Sequence, residues 1–221
     1  FIVEVTYGLY WGVDMFPLAL LNASAPVIDE YVKSWMLFDT LDDLITDNTW
    51  SGGTLTGGQL VNSSTTNTLT DQSRFNTHTG DFTIEFDFTP SADDNDGNNH
   101  GLLYFGDGNP FNTSYFIRYA SGFCAMVVRA SPGASLQFAI SCSIGGTTGQ
   151  KYHIAVQRKA GVYEMYLDGV LLTPGFSNNT ANSFASSSIA LSLGVVYTIG
   201  APELMKGAMD NFKFSNGIAR Y

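Results

Sequence analysis

Ten lysines and arginines stand against twenty aspartates and glutamates in a chain of 221 residues, a formal net charge of -10. So acidic a surface lacks the cationic footprint that nucleic acids require, and anionic membranes repel it. The length fits one large all-β domain, alone or with an arm, and the wealth of Gly, Ser, Thr, Asn and aromatic residues suits short strands joined by tight turns on a secreted protein or a virion exterior.

The chain opens Phe1-Ile2-Val3-Glu4 with no methionine, so it is expected to be processed or to be a piece of a longer polypeptide. Residues 1–34 are rich in aromatic and aliphatic side chains without clean periodicity. Glu4 and Asp14 interrupt this stretch, and no apolar run reaches bilayer-spanning length, which argues against membrane insertion. The segment reads as an N-terminal arm. It covers either its own domain or a neighbouring subunit, and the second case implies a homo-oligomer or an assembly with other structural subunits. Within "SAPVIDEYVKSW", residues 24–35, Pro26 at a first-turn position followed by Asp29 and Glu30 predicts a short helix.

From residue 35 to residue 221 the pattern is one of short strands. "GGTLTGGQLV" predicts a strand pair, and "DFTIEFDF" is the clearest alternation in the chain. "GLLYFG", "SYFIRYA", "GFCAMVVRA", "LQFAISCSI", "YHIAVQRK", "VYEMYLDG" and "GAMDNFKFS" follow. Turn signals such as Asp107-Gly108, Pro132-Gly133, Asp168-Gly169 and Asn216-Gly217 separate them. Many short strands without intervening helices predict an antiparallel β-sandwich.

One hairpin can be registered from sequence. With the turn at residues 131–135, Val128 faces Phe138, Met126 faces Ile140 and Cys124 faces Cys142, so hydrophobic pattern and register agree. The two cysteines are then either a cross-strand disulfide or two buried thiols acting as small hydrophobes.

"GDFTIEFDF", "YHIAVQRKAGVYEMYLDGVLL", "YTIG" and the closing "GAMDNFKFSNGIARY" together resemble the laminin-G-like, concanavalin-A-like jelly-roll superfamily, in the version found in phage structural proteins. The resemblance covers roughly residues 36–221 and is carried above all by the "GIARY" ending. It implies an all-β jelly roll and leaves function open, because this fold hosts lectins, hydrolases and purely structural modules. Asp87 stands where the family has a Trp after "IEF", and Tyr152 where a Trp often precedes "HIAV".

Retaining glucanases of this fold carry Glu-x-Asp-x-x-Glu on one strand, with the two glutamates as nucleophile and acid/base. Here the frame reads Glu85-Phe86-Asp87-Phe88-Thr89-Pro90, and Pro90 has no proton to give. Glu85 and Asp87 therefore read as the polar face of a strand, with no catalytic residue assigned.

The acidic loop "SADDNDGNNHG" offers Asp93, Asp94, Asn95 and Asp96 as candidate oxygen ligands for calcium, although Ala92 and Leu103 break the helix-loop-helix calcium spacing. Trp50, Tyr104, Tyr115 and Tyr119, with Asn109 and Asn112 as hydrogen-bonders, are candidates for a carbohydrate-binding site. His153 reads as a structural histidine, and Asp210 as sharing the strand parity of Phe212 and Phe214. The expectation is a non-enzymatic structural or adhesion module of a virion or extracellular surface assembly, a tail, fibre or capsid decoration that takes cell-surface glycans. A secreted lectin domain is the second reading, and a glycoside hydrolase the third.

Overall fold

The structure is a computed structural model, and it describes residues 32–36, 50–61, 65–67, 80–91, 98–106, 114–129, 138–177, 190–197 and 202–221. The expected all-β sandwich is what these residues form. Strands are numbered along the chain. The first sheet runs β13 (Val170–Leu171), β12 (Val162–Leu167), β11 (Tyr152–Lys159), β6 (Phe82–Pro90), β18 (Gly207–Asn216), β4 (Gln59–Val61), β3 (Leu55–Thr56), with β1 (Val32–Met36) also on β18. The second runs β14 (Phe176–Ser177), β10 (Phe138–Ser143), β9 (Phe123–Arg129), β8 (Ser114–Ala120), β7 (His100–Gly106), β15 (Ala190–Leu193), β5 (Thr65–Asn67), β2 (Trp50–Gly52). A separate hairpin, β16 (Val195–Tyr197) and β17 (Pro202–Leu204), completes the fold. Every strand pair is antiparallel, and no helix long and apolar enough to cross a membrane occurs among the described residues.

The core follows from period-two alternation. Phe82, Ile84, Phe86 and Phe88 of β6 point inward with Ile154 and Val156 of β11 and with Phe212 and Phe214 of β18. From the second sheet they meet Leu103, Phe105, Tyr115, Ile117, Tyr119, Met126 and Ile140. Burying each such side chain contributes about 1.5–3 kcal/mol, so this double layer is the main source of stability.

Val32–Met36 form a strand where residues 24–35 were expected to start as a helix; residues 24–31 lie outside the described residues. The cause is tertiary: β18 offers Phe212–Ser215 as an open ladder, and Val32–Met36 pair with it. The rest of the 1–34 arm is likewise outside the described residues.

A second correction concerns Asp210. Asn211 adopts φ 48°, and the β18–β6 register shifts between Asp210 and Lys213. This bulge reverses the alternation. Phe212 and Phe214 stay in the core, while Asp210 lies on the outer face opposite Asp87, half-buried, its Oδ1 accepting the Asn211 N–H at 2.7 Å. The same bulge brings Lys213, which strict alternation from Met209 would drive inward, opposite Glu85.

The cysteine hairpin has the register read from sequence: Val128↔Phe138, Met126↔Ile140 and Cys124↔Cys142. Both cysteines are buried free thiols. Burial pushes the Cys124 thiol well above its ordinary range, and the neighbouring Cys142 adds to this. The expected result is two alkyl labels per chain in denaturant without reductant, and none in the native state. Labels that appear only after reduction would show a Cys124–Cys142 bridge instead.

Candidate functional site

The outer row of β6 is Thr83, Glu85 and Asp87. Thr83 lies between Gln157 and Ser215, Glu85 between Ala155 and Lys213, and Asp87 between His153 and Asp210. The chain's own last residues fold back over this row. The Gly217 N–H donates to the Asp81 carbonyl at 2.8 Å, which starts the return. Thr83 Oγ1 donates to the Ile218 carbonyl at 3.1 Å and accepts from the Arg220 N–H at 3.2 Å. Gln157 grips the Tyr221 main chain at both ends: its Oε1 accepts from the N–H at 3.0 Å, and its Nε2 donates to the main-chain oxygen at 2.9 Å. The Tyr221 ring packs on Tyr166 with centroids 4.9 Å apart. Under this cover Thr83 and Gln157 have no exposed surface.

The tail ends in a charged chain of hydrogen bonds. Tyr221 Oη donates to Glu85 Oε2 at 2.9 Å and lies 3.0 Å from His153 Nε2. His153 Nδ1 is 2.9 Å from Asp87 Oδ1. Lys213 Nζ pairs with Glu85 at 3.2 Å, and Lys151 Nζ with Asp87 at 3.2 Å. Burial alone would raise the Glu85 pKa, but hydrogen bonds from His153, Tyr221 and Lys213, with the Lys213 charge, outweigh it and hold it at about 2. His153 is pushed above its ordinary 6.5, first by Glu85, against burial, and then by Asp87. The imidazolium is the form that donates from both nitrogens, to Asp87 and to Tyr221 Oη, and so leaves the tyrosine proton for Glu85.

The outer face of the second sheet is built differently. The β16–β17 hairpin lies across it, and Val196 packs on Tyr104, Phe116 and Val127 in a second buried cluster. Gly101 permits this approach: a Cβ there would stand 2.1 Å from the Val196 main-chain nitrogen. Beyond the hairpin two rows stay open. One is Arg118, Ala125 and Ser141; the other is Ala120, Phe123 and Ser143. Ser121 and Gly122, both at positive φ (47° and 84°), form a tight two-residue turn that places Phe123 at the rim. Its ring is 50% exposed, whereas Arg118, Ala120, Ala125 and Ser141 are half-buried.

The candidates read from sequence fall as follows. Tyr104 is buried beneath Val196, and Tyr115 and Tyr119 are core residues, each at most 1% exposed. A sugar platform needs an accessible ring, so these three tyrosines are corrected to packing residues. Asn109 and Asn112 lie outside the described residues, as do Asp93, Asp94, Asn95 and Asp96. Trp50 lies in β2, paired with Asn67. Among the described residues no group of three or more His, Cys, Asp or Glu could hold a metal ion. The sequence reading missed Phe123 and Arg118, and strand parity carried the signal: if Cys124 and Met126 face the core, Phe123 and Ala125 face out.

A family model described as the concanavalin A-like lectin/glucanases superfamily, of laminin-G type, matches residues 61–219. The chain belongs to this superfamily. A search of curated proteins returns no match. Among solved structures, the CBM40 module of the Ruminococcus gnavus IT-sialidase, bound to α2,3-sialyllactose, aligns with TM-score 0.52 and 14% identity over 64% of this chain and 78% of that one. The receptor-binding domain of the botulinum neurotoxin C/D mosaic aligns with TM-score 0.63 and 9% identity, covering 87% and 49%. A botulinum neurotoxin type C structure, whose cell entry depends on interaction with two ganglioside molecules, aligns with TM-score 0.59 and 13% identity, covering 86% and 49%. The chain thus spans about half the length of the toxin domains it matches. At these identities the likeness is one of fold.

In this superfamily member the Glu-x-Asp frame has become an anchor. Glu85, with its pKa held at about 2, is an anion already committed to Tyr221 and Lys213, and buried Pro90 stands where a glucanase has its acid. The sign of the pH dependence follows from the two shifts. The Glu85 contribution is complete above about 4.5 and is lost as pH falls toward about 2; the His153 contribution is complete below 6.5 and is lost as pH rises through its raised folded value. The melting temperature is therefore expected to be highest between pH 4.5 and 6.5. Glu85→Gln should cost about 1–3 kcal/mol and flatten the acid limb. NMR titration of His153 at or below the ordinary histidine value would contradict this account.

Proposed function

We propose that the chain is a non-enzymatic carbohydrate-binding module that docks cell-surface glycans through the open half of its second sheet. The observation that carries this reading is Phe123, an aromatic ring half exposed on a flat field of small side chains, Ala120 and Ala125, with Ser141 and Ser143 beside it. Sugars stack their apolar faces on such rings and use nearby hydroxyls for orientation. The alternative carboxylate-lined face of the first sheet is already filled by Gly217–Tyr221. Support also comes from structures of similar fold that take sialyllactose or gangliosides, and from the absence of a proton donor at the glucanase acid position.

The finer setting belongs to the same proposal. The module serves as an adhesion element of a virion or other extracellular surface assembly, with copies of itself or other structural subunits as partners. The support is the likeness of the "GIARY" closing motif to phage structural proteins and the apolar composition of residues 1–34.

A glycan array probed with the whole chain is expected to show reproducible binding, and Phe123→Ala to weaken it by about tenfold or more with an unchanged melting temperature. Binding that survives Phe123→Ala would move the site elsewhere, and no binding would remove the function. Light scattering of the chain with and without residues 1–31, a deletion that spares strand β1, addresses the setting. An oligomer that becomes a folded monomer on deletion is the expected outcome; two folded monomers would overturn the assembly role.

A further inference from the structure

The two open rows differ in chemistry. Phe123 supplies an apolar surface, whereas Arg118 supplies a guanidinium in the next row, one strand away. Neighbouring strands are about 4.8 Å apart and same-face residues along a strand about 6.8 Å apart, so the two side chains are diagonal neighbours at about 7–8 Å. A single sugar ring lying on Phe123 therefore has Arg118 within reach of its substituents.

Arg118 is half-buried between Gly101 of β7 and Ala125 of β9 in the register of the sheet. It forms no ion pair with a carboxylate among the described residues; the ion pairs at Glu85 and Asp87 lie on the first sheet. A guanidinium on a sheet face, bounded on one side by Phe116 and the hairpin over Gly101 and on the other by Ala120, Ala125 and Ser141, can turn its donor fork toward what lies on the open side. The matching group is a planar carboxylate, which takes two parallel hydrogen bonds. With a net charge of -10, an acidic ligand needs a local cation to receive it.

Resting on the glycan-binding reading, we infer that the Arg118–Phe123 field is a site for an acidic saccharide, a sialic or uronic acid. The sugar ring sits on Phe123, its carboxylate meets the Arg118 guanidinium, and the Ser141 and Ser143 hydroxyls bond to ring hydroxyls.

Calorimetric titration of the whole chain with 3′-sialyllactose, a galacturonate oligomer and neutral lactose tests this. At least one acidic sugar should bind about tenfold or more tightly than lactose, and weaken as salt rises. Arg118→Gln should remove that advantage and leave lactose binding and the melting temperature unchanged, with Arg118→Lys falling between. The acidic arm that binds tells sialic from uronic acid. Equal affinity for acidic and neutral sugars, or an Arg118→Gln variant that binds the acidic sugar like the parent, overturns the acidic preference and leaves the glycan module standing. Binding to no sugar overturns both.

Discussion

Glu85 is an anion on the central strand of a sheet, nine-tenths covered, and it can remain charged there only if its surroundings supply compensating donors. Those donors come from places far apart in the chain. Lys213 arrives through a bulge in β18, His153 through β11, and the Tyr221 hydroxyl through the return of the last residues. The inner row of the same strand is Phe82, Ile84, Phe86 and Phe88, which fill the core. One strand thus performs two tasks: its apolar side holds the two sheets together, and its ionic side ties down Ile218–Tyr221. Glu85 ties the two together, because an anion left without Tyr221 and Lys213 would press against the sheet that the phenylalanines stabilise.

This arrangement also sets these two carboxylates apart from the open pair that glycoside hydrolysis requires. A catalytic pair must be open to a scissile bond, and one member must be able to hold a proton at working pH. Glu85 is instead held ionised by His153, Lys213 and Tyr221, Asp87 is engaged with Lys151 and His153, and the Tyr221 hydroxyl lies against Glu85. The second sheet shows the opposite disposition. Its outer face is sealed on one side by Val196 against Tyr104 and Phe116, and left bare on the other around Phe123 and Arg118.

Much of this was legible in the residues. "DFTIEFDF" alternates so cleanly that both the strand and its inner face follow directly, and the hydrophobic pattern alone sets the register of the cysteine hairpin. The same alternation in "SYFIRYA" turns Tyr115 and Tyr119 inward with Ile117, so the sugar candidates among the tyrosines were chosen by residue type against a pattern that already contained the answer. What alternation could not supply was the bulge at Asn211. A single left-handed residue inverts everything after it, and its signs in "MDNFKF" are weak ones: an asparagine, which tolerates that region, and the three-residue spacing of Met209 and Phe212. The strand at Val32–Met36 was hidden for a different reason: its pairing partner is some 180 residues away, and local signals around Pro26 and Glu30 point to a helix. Nor does the "GIARY" sequence reveal that its tyrosine reaches back to a carboxylate 136 residues earlier.

The hairpin resting on Gly101 has a consequence for how such a module can diversify. It confines the second sheet's outward hydrophobic packing to one side, so Phe123 and Ser143, both exposed, add little to the folding free energy. Substitutions at solvent-facing positions of that kind change stability by no more than about 0.5 kcal/mol. Phe123 and Ser143 can therefore be exchanged with the scaffold still folded, which separates ligand preference from stability at these two positions. Gly101 itself has no such latitude, since any side chain there would lift the hairpin and expose the cluster beneath.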